Sequence, residues 1–288
     1  MQLLQANEFF AFERERYNIY LRRQAGQKWP WTDDPILREY RFTNTFRELD
    51  RTTTWFRENI RGPLSLKATN DEGRLKLVNS TLIFRWFNRI SSMELIKEQL
   101  LNTWDSKEVH RILKDVKPLV SGAFMIKTLS GLNKLDGLME SIDLALLMTP
   151  NMVPGWGATL EGAWRDIQSI PFLGAFMAHE IVQDLYYTPI LCDATDAMTW
   201  SSFGPGGTHG MSRIVSGHAK MFNRGSATDQ ATMREAMIQL LEMSNKEEYW
   251  PQEWPTWNAH TVEFGCCEYD KYCRGMVGER LKRRYSPT

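Results

Sequence analysis

Arg22-Arg23-Gln24-Ala25-Gly26-Gln27-Lys28-Trp29-Pro30-Trp31-Thr32-Asp33-Asp34-Pro35-Ile36-Leu37, followed by Arg41-Phe42-Thr43-Asn44-Thr45-Phe46-Arg47-Glu48-Leu49-Asp50-Arg51, joins a rigid aromatic loop to a run of helical period. Thr32 or Asp33 can cap a helix whose first turn accepts Pro35, because a first-turn proline gives up only an amide that has no intrahelical partner. Over 35–60, Phe42, Phe46, Leu49 and Phe56 then share one face, and Asn44, Arg47 and Arg51 fall about 140 to 200° away at about 100° per residue. The apolar face predicts a core contact. The opposite face is either solvated surface or a display of amide and guanidinium groups.

Around that stretch the chain has 288 residues, 42% of them hydrophobic, enough to bury a substantial core as one domain or two interleaved helical lobes. Thirty-five basic and 35 acidic residues cancel, so bulk charge neither demands nor excludes nucleic acid. Basic residues do cluster: at Arg14, Arg16, Arg22 and Arg23, along Arg38 to Arg61, and in a tail with Lys282, Arg283 and Arg284. Three such segments converging would suit a phosphate backbone. No apolar run approaches about 18 residues, which predicts no membrane span. The four cysteines, Cys192, Cys266, Cys267 and Cys273, have no spaced pairing framework, as expected in a reducing cytosol, and with His260 they match neither zinc nor iron-sulfur spacings. No metal is expected.

Helical periodicity predicts an all-α chain with helices over 5–24, 35–60, 73–89, 92–102, 106–115, 131–147, 158–168, 175–186, 209–222, 228–243 and 260–274. The Pro/Gly-rich stretch from Pro150 to Gly157 is the expected hinge between lobes 1–150 and 151–288 of a single 1–288 domain. The eleven tryptophans are mostly expected in packing.

Between Ala158 and Leu185, a helix ends near Ser169, Ile170-Pro171-Phe172-Leu173-Gly174 makes a tight turn, and a second helix begins at Ala175. This 158–186 segment resembles the helix-hairpin-helix of DNA glycosylases, which implies a two-lobed helical fold and a phosphate contact at Leu173 and Gly174. Phe172 departs from that pattern by standing where the first turn glycine would be. In the glycosylase pattern a catalytic aspartate lies downstream of the second helix, a region held here by Asp193 and Asp196. Gly204-Pro205-Gly206-Gly207-Thr208-His209-Gly210 then opens a helix carrying Arg213. It is either a structural turn or an anion pocket of converging amides; the lysine of a nucleotide-binding loop is missing, so ATP is not expected.

The pattern from Tyr20 through Arg22-Arg23, Pro30-Trp31-Thr32, Asp34-Pro35-Ile36-Leu37 and Tyr40 to Arg51 resembles the helical proteins that hypermodify thymine in phage DNA. These comprise the alpha-glutamyl/putrescinyl thymine pyrophosphorylase and amino acid:DNA transferase group and the helical domain attached to 5-hydroxymethyluridine DNA kinases. Asp184-Leu185-Tyr186-Tyr187-Thr188 through Gly206, and Glu263 through Asp270-Lys271-Tyr272 to Tyr285, extend the likeness over most of the chain.

The resemblance implies a phage-encoded enzyme of the host cytoplasm, working without a cofactor and coupled to a 5-hydroxymethyluridine kinase. It would flip a phosphorylated 5-hydroxymethyluracil out of duplex DNA and replace the phosphate or pyrophosphate with the amine of a free amino acid, glycine being the smallest. Arg47, Arg51 and the loop from Gly204 to Gly210 are then candidates to neutralise the leaving phosphate. Asp184, Asp193, Asp196 and His209 are candidate bases, and Arg213 or Arg41 would hold the amino-acid carboxylate. Asn44 would read the thymine edge with Trp31 or Phe42 stacking on it, and Glu263 and Lys271 would form pocket wall. Arg22, Arg23, Lys282, Arg283 and Arg284 join Leu173 and Gly174 as DNA contacts. A glycosylase-like hydrolase and a non-catalytic recognition partner of the kinase remain as alternatives.

Overall fold

The computed structural model describes residues 1–122, 127–128 and 131–285. Its helices are α1 (Ala6–Gln24), α2 (Pro35–Glu39), α3 (Arg51–Phe56), α4 (Gly62–Ser65), α5 (Asp71–Phe87), α6 (Ile90–Leu95), α7 (Lys97–Leu101), α8 (Ser106–Leu113), α9 (Lys134–Met148), α10 (Leu160–Gln168), α11 (Ala175–Tyr186), α12 (Pro205–Ser216), α13 (Ala227–Ser244) and α14 (Ala259–Met276). The fold is all-α: the described residues form no strand, and their one isolated bridge pairs Tyr40 antiparallel with Arg284. No helix among them is long and apolar enough to cross a membrane. Short polar side chains start many of the helices. Asn70, Asp105, Asn133, Thr159, Ser226 and Asn258 each accept from first-turn amides that have no helical partner.

The chain divides into two compact units, 1–50 with 197–288, and 51–196. The hinge expected over 150–157 lies inside the second unit, where 149–151 and 153–155 form short 3₁₀ turns.

In the first unit, α1, α12, α13 and α14 surround an aromatic core. Phe9 meets Trp257 edge-on at 5.9 Å and Tyr269 at 5.5 Å; Trp250 packs on Trp257 at 5.1 Å and Trp254 at 4.9 Å. Each such pair adds about 0.5–1.5 kcal/mol to the area that it buries. Trp250, inside the connector before α14, is fully buried, and its Nε1 donates to the Pro255 carbonyl at 3.0 Å. Glycines let α12 approach α14: a Cβ on Gly210 would lie 1.9 Å from the Cys266 carbonyl oxygen, and one on Gly207 2.4 Å from Glu263 Oε1.

In the second unit, α5 is buried over most of its C-terminal half, with Phe84 stacked on Phe56 at 4.0 Å and 9°. Asn88, left-handed at φ 44°, ends the helix. α10 and α11 form a helical hairpin whose turn carries Phe172 at φ 69°.

The predicted helix 35–60 does not exist as one element. α2 stops at Glu39 because Tyr40 turns extended and the backbone pairs with the tail: Tyr285 N–H donates to the Glu39 carbonyl at 2.8 Å and Arg41 N–H to the Arg283 carbonyl at 3.0 Å. Residues 41–46 are irregular, 47–49 form a 3₁₀ turn, and α3 follows. The apolar residues keep their burial without the helical face: Phe42 packs on Phe12 and Phe46 on Tyr17, whereas Phe56 belongs to the core of the second unit.

Candidate nucleic-acid and base-binding site

The cap of α2 is Asp34, one residue beyond the expected Thr32 or Asp33. Its Oδ1 accepts from the Ile36 and Leu37 amides at 2.8 and 2.9 Å, and Oδ2 accepts from the Tyr272 hydroxyl at 2.6 Å, tying α2 to α14. Thr32 Oγ1 in turn accepts from the Asp34 amide at 3.1 Å. The aromatic loop before it is pinned from α1: Arg22 Nη1 donates to the Trp31 carbonyl at 2.5 Å and to Glu15 at 2.7 Å. The Arg23 guanidinium lies 5.2 Å over the Trp31 ring, and that ring meets Tyr285 edge-on at 5.6 Å.

Residues 41–44 are fastened on two sides. From α1, buried Arg16 donates through Nη2 to the carbonyls of Thr43 (3.1 Å) and Asn44 (2.8 Å) and to Thr43 Oγ1 (3.0 Å), while Nη1 holds Glu13 at 2.5 Å. From α14, Glu268 accepts from the Thr43 amide at 3.3 Å, and Lys271 donates to the Arg41 carbonyl with its Nζ 4.2 Å above the Phe42 ring. Asn44 Nδ2 donates to the Leu49 carbonyl at 2.9 Å and to Asp50 at 3.2 Å.

These fixed segments line a pocket of the first unit with about 510 Å³ of empty space, counted out to solvent. Trp29, Trp31, Tyr40, Phe42 and Tyr285 supply aromatic faces; Arg16, Arg23 and Arg38 supply guanidinium groups; Thr43 and Asn44 supply small polar edges. Arg23 and Arg38 are exposed. Beside the pocket the tail presents exposed Lys282, Arg283 and Arg284, the last paired with Glu39 at 3.2 Å. Members of all three basic segments singled out in the sequence thus meet around one opening: Arg16 and Arg23, Arg38, and the tail.

A buried acid, Glu13, and a half-buried one, Asp50, stand behind this wall. Burial pushes the Glu13 carboxyl up to about 7 against the opposing pull of Arg16, and pushes Asp50 up to about 6 although it accepts from the Asn44 amide at 3.0 Å. Burial lowers the Lys271 ammonium, and Glu268 pulls it back.

Of the expected site residues, Trp31, Phe42, Asn44 and Arg23 line this pocket, and Arg22 anchors it. Arg41 and Lys271 shape it through the Arg41 carbonyl, with the Arg41 side chain exposed. Arg47 is buried in the 47–49 turn, unlike the exposed helix position expected for it, because no helix runs through 40–46. Arg51 opens α3 in the second unit. The segment from Gly204 to Gly210 is α12 itself packed on α14, and the anion at its start belongs to the protein: Glu263 Oε1 accepts from the Gly204 amide at 3.3 Å. Gly206 is there for closeness, since a Cβ would lie 3.1 Å from Cys267 Sγ. Arg213 is neutralised by Asp270 at 2.8 Å, and exposed His209 lies 3.9 Å from the same carboxylate.

The remaining candidates belong to the second unit. Asp184 is buried in an ion pair with Arg85, a structural setting for a residue expected as a base. Asp196 caps α10, accepting from the Leu160 and Glu161 amides at 2.7 and 3.0 Å, while Asp193 is exposed. Leu173 is core, and exposed Gly174 starts α11. Trp29, Tyr40, Thr43 and Tyr285 also line the pocket although the sequence reading gave them no site role, because an irregular loop paired with a distant tail leaves no periodic signal.

Residues 5–282 match the family model described as 5-hmdU DNA kinase, helical domain, and the chain belongs to that family. It is 23% identical over 293 aligned positions to the 5-hmdU DNA kinase of Bacillus phage SP10, covering 92% of this chain and 44% of that protein. The chain therefore spans less than half the length of that relative. No solved structure matches it.

Proposed function

We propose that this protein acts in the modification of thymine in phage DNA, taking a 5-substituted uracil turned out of the duplex into the Trp29–Asn44 pocket. The observation that carries this reading is the convergence of aromatic faces, guanidinium groups and a fixed amide on one opening of the first unit. Each part has a task. Aromatic faces stack on a base taken out of the helix, guanidiniums neutralise phosphate, and the exposed basic tail beside the opening meets the DNA backbone. Kinship with a phage protein named for 5-hmdU supports a base of the uracil type.

The finer proposal is a transfer step. The amine of a free amino acid, glycine first among them, attacks the exocyclic C5 methylene of a phosphorylated 5-hydroxymethyluracil. A C–N bond forms, the C–O bond breaks, and phosphate departs with the electron pair and takes up the proton that the amine gives up, leaving as hydrogen phosphate. Arg23 and Arg38 are the guanidiniums that receive the leaving phosphate.

A second reading has its own support. Among the described residues, those lining the pocket include no carboxylate or imidazole, which suits a recognition module working beside a 5-hydroxymethyluridine kinase. One experiment separates the two. The protein is incubated with duplex DNA bearing phosphorylated 5-hydroxymethyluracil and an amino-acid mixture, and the nucleosides are then analysed by mass. An aminated nucleoside establishes the transferase; retention of the DNA with unchanged nucleosides establishes the recognition module.

A further inference from the structure

Asn44 presents a restricted choice of chemistry to the pocket that it lines. Its side chain has two donor hydrogens on Nδ2 and one acceptor oxygen. Nδ2 donates to the Leu49 carbonyl at 2.9 Å and to Asp50 Oδ1 at 3.2 Å, so both donor directions end on oxygens of this chain. A carbonyl and an ionised carboxylate only accept. Turning the amide over would set its oxygen against a carbonyl and a carboxylate, so the network defines the orientation. The Asn44 backbone is equally committed, its N–H to the same Asp50 oxygen at 3.0 Å and its carbonyl to Arg16 Nη2 at 2.8 Å. The side-chain oxygen is the group that Asn44 has left to offer a ligand.

We propose that Asn44 is the base-selecting residue of the pocket, its Oδ1 accepting the N3–H of a uracil-type imide, and that Asp50 is a positioning residue that keeps this oxygen turned towards the ligand. The proposal rests on the reading of the pocket as a base site. A uracil edge runs acceptor, donor, acceptor, with N3–H in the centre. At the same ring position cytosine carries a bare N3, whose lone pair would face the Asn44 oxygen. An amide free to rotate would serve either base; one clamped by a carboxylate serves the imide. The geometry of Asp50 fits this duty, since its Oδ1 accepts from both the backbone N–H and the side-chain Nδ2 of Asn44.

The test uses the full chain and three duplexes that differ at one base: 5-hydroxymethyluracil, its N3-methyl derivative, and 5-hydroxymethylcytosine. Each is set opposite an abasic gap, so that extrusion does not differ through lost pairing. The wild-type protein should favour the imide over both others by about tenfold or more, as expected when one polar partner is left unmatched. Asn44→Ala and Asp50→Ala should each lose most of that ratio and keep binding to the N3-methyl duplex. Because the ratio is taken within one variant, a partly unfolded sample does not alter it.

An Asn44→Ala protein with the wild-type ratio overturns the assignment, as does a wild-type protein without preference. Trp29→Ala distinguishes this from failure of the pocket reading. If Trp29→Ala weakens binding while the ratio is insensitive to Asn44, the pocket takes the base and Asn44 does not select it. If neither substitution changes any affinity, the base site is not this pocket and both proposals fall.

Discussion

Arg85 donates through both Nε and Nη2 to the two carboxylate oxygens of Asp184, and the pair is buried inside the second unit, with Arg61 Nη1 3.8 Å from the same carboxylate. Arg85 also reaches Asn88 at 3.1 Å, so the contact ties α5 and its C-terminal cap to α11. Both carboxylate oxygens are thus engaged by guanidinium donors. Removing one partner leaves an uncompensated buried charge, which typically costs about 3–5 kcal/mol. Asp184→Ala should therefore lose roughly that much in urea denaturation, and pairing Asp184→Leu with Arg85→Met should recover part of it. An Asp184→Ala protein of wild-type stability and no activity would return Asp184 to the catalytic candidates.

The glycines of α12 give a second contrast. Gly210→Ala places a Cβ 1.9 Å from the Cys266 backbone oxygen, which no side-chain rotation relieves, so α12 must shift from α14 at a cost of about 1–3 kcal/mol or more. Gly174→Ala meets nothing within 4 Å at an ordinary φ of −76° and should stay within about 0.5 kcal/mol of wild type. Any fall in DNA affinity in Gly174→Ala then reports on the α10–α11 turn alone. A Gly210→Ala protein of wild-type stability would overturn the close packing of α12 on α14.

These two cases also mark what the sequence made legible. The all-α class was visible because apolar periodicity and polar caps are local: helices expected over 5–24, 175–186 and 228–243 are α1, α11 and α13 within a residue at each end. The aromatic segment 22–51 was visible as a candidate site because Trp31, Phe42 and Asn44 stand in a dense motif. Its shape was not visible. Tyr40 leaves the helix to pair with Arg284 at the far end of the chain, and no window of periodicity contains both. Arg47 was expected to be exposed for the same reason. The fixing of the loop by Arg16 and Glu268 depends on three segments meeting, and the Glu263 carboxylate at the start of α12 depends on two that are far apart in sequence.

Glu13 and Asp50 give the first unit a defined response to pH. Their native values, about 7 and about 6, lie above the ordinary carboxyl values of 4.5 and 3.8. The native protein thus holds protons that the unfolded chain has released. The associated stability is fully present below the unfolded values and is lost as pH rises through the folded ones. Melting temperature should fall between about pH 5 and pH 7.5 through these two groups. Glu13→Gln still offers Arg16 an oxygen and should flatten that decline, whatever its effect on stability at the acid end. An equally steep decline in Glu13→Gln would assign the response to other groups.

The basic tail should act on DNA through charge, with unequal shares. Lys282 and Arg283 are exposed beside the Tyr285 edge of the pocket, whereas Arg284 is engaged by Glu39 at 3.2 Å. Each cation that displaces a counterion from duplex phosphate contributes about 0.9 to the slope of log affinity against log salt. Joint replacement of Lys282, Arg283 and Arg284 by alanine should lower the magnitude of that slope by up to about 0.9 for each phosphate that the tail no longer neutralises. Arg284→Ala alone should lower it least, because its charge is already partly balanced and its removal frees Glu39 to repel phosphate. Lys282→Glu with Arg283→Glu should weaken binding further at low salt and converge with wild type at high salt, where screening removes the repulsion. Titrations of one duplex across salt concentrations decide this, with melting curves to verify that each variant stays folded. A triple variant with the wild-type slope would take the tail away from the DNA and leave Arg23 and Arg38 as the phosphate-binding groups of the pocket.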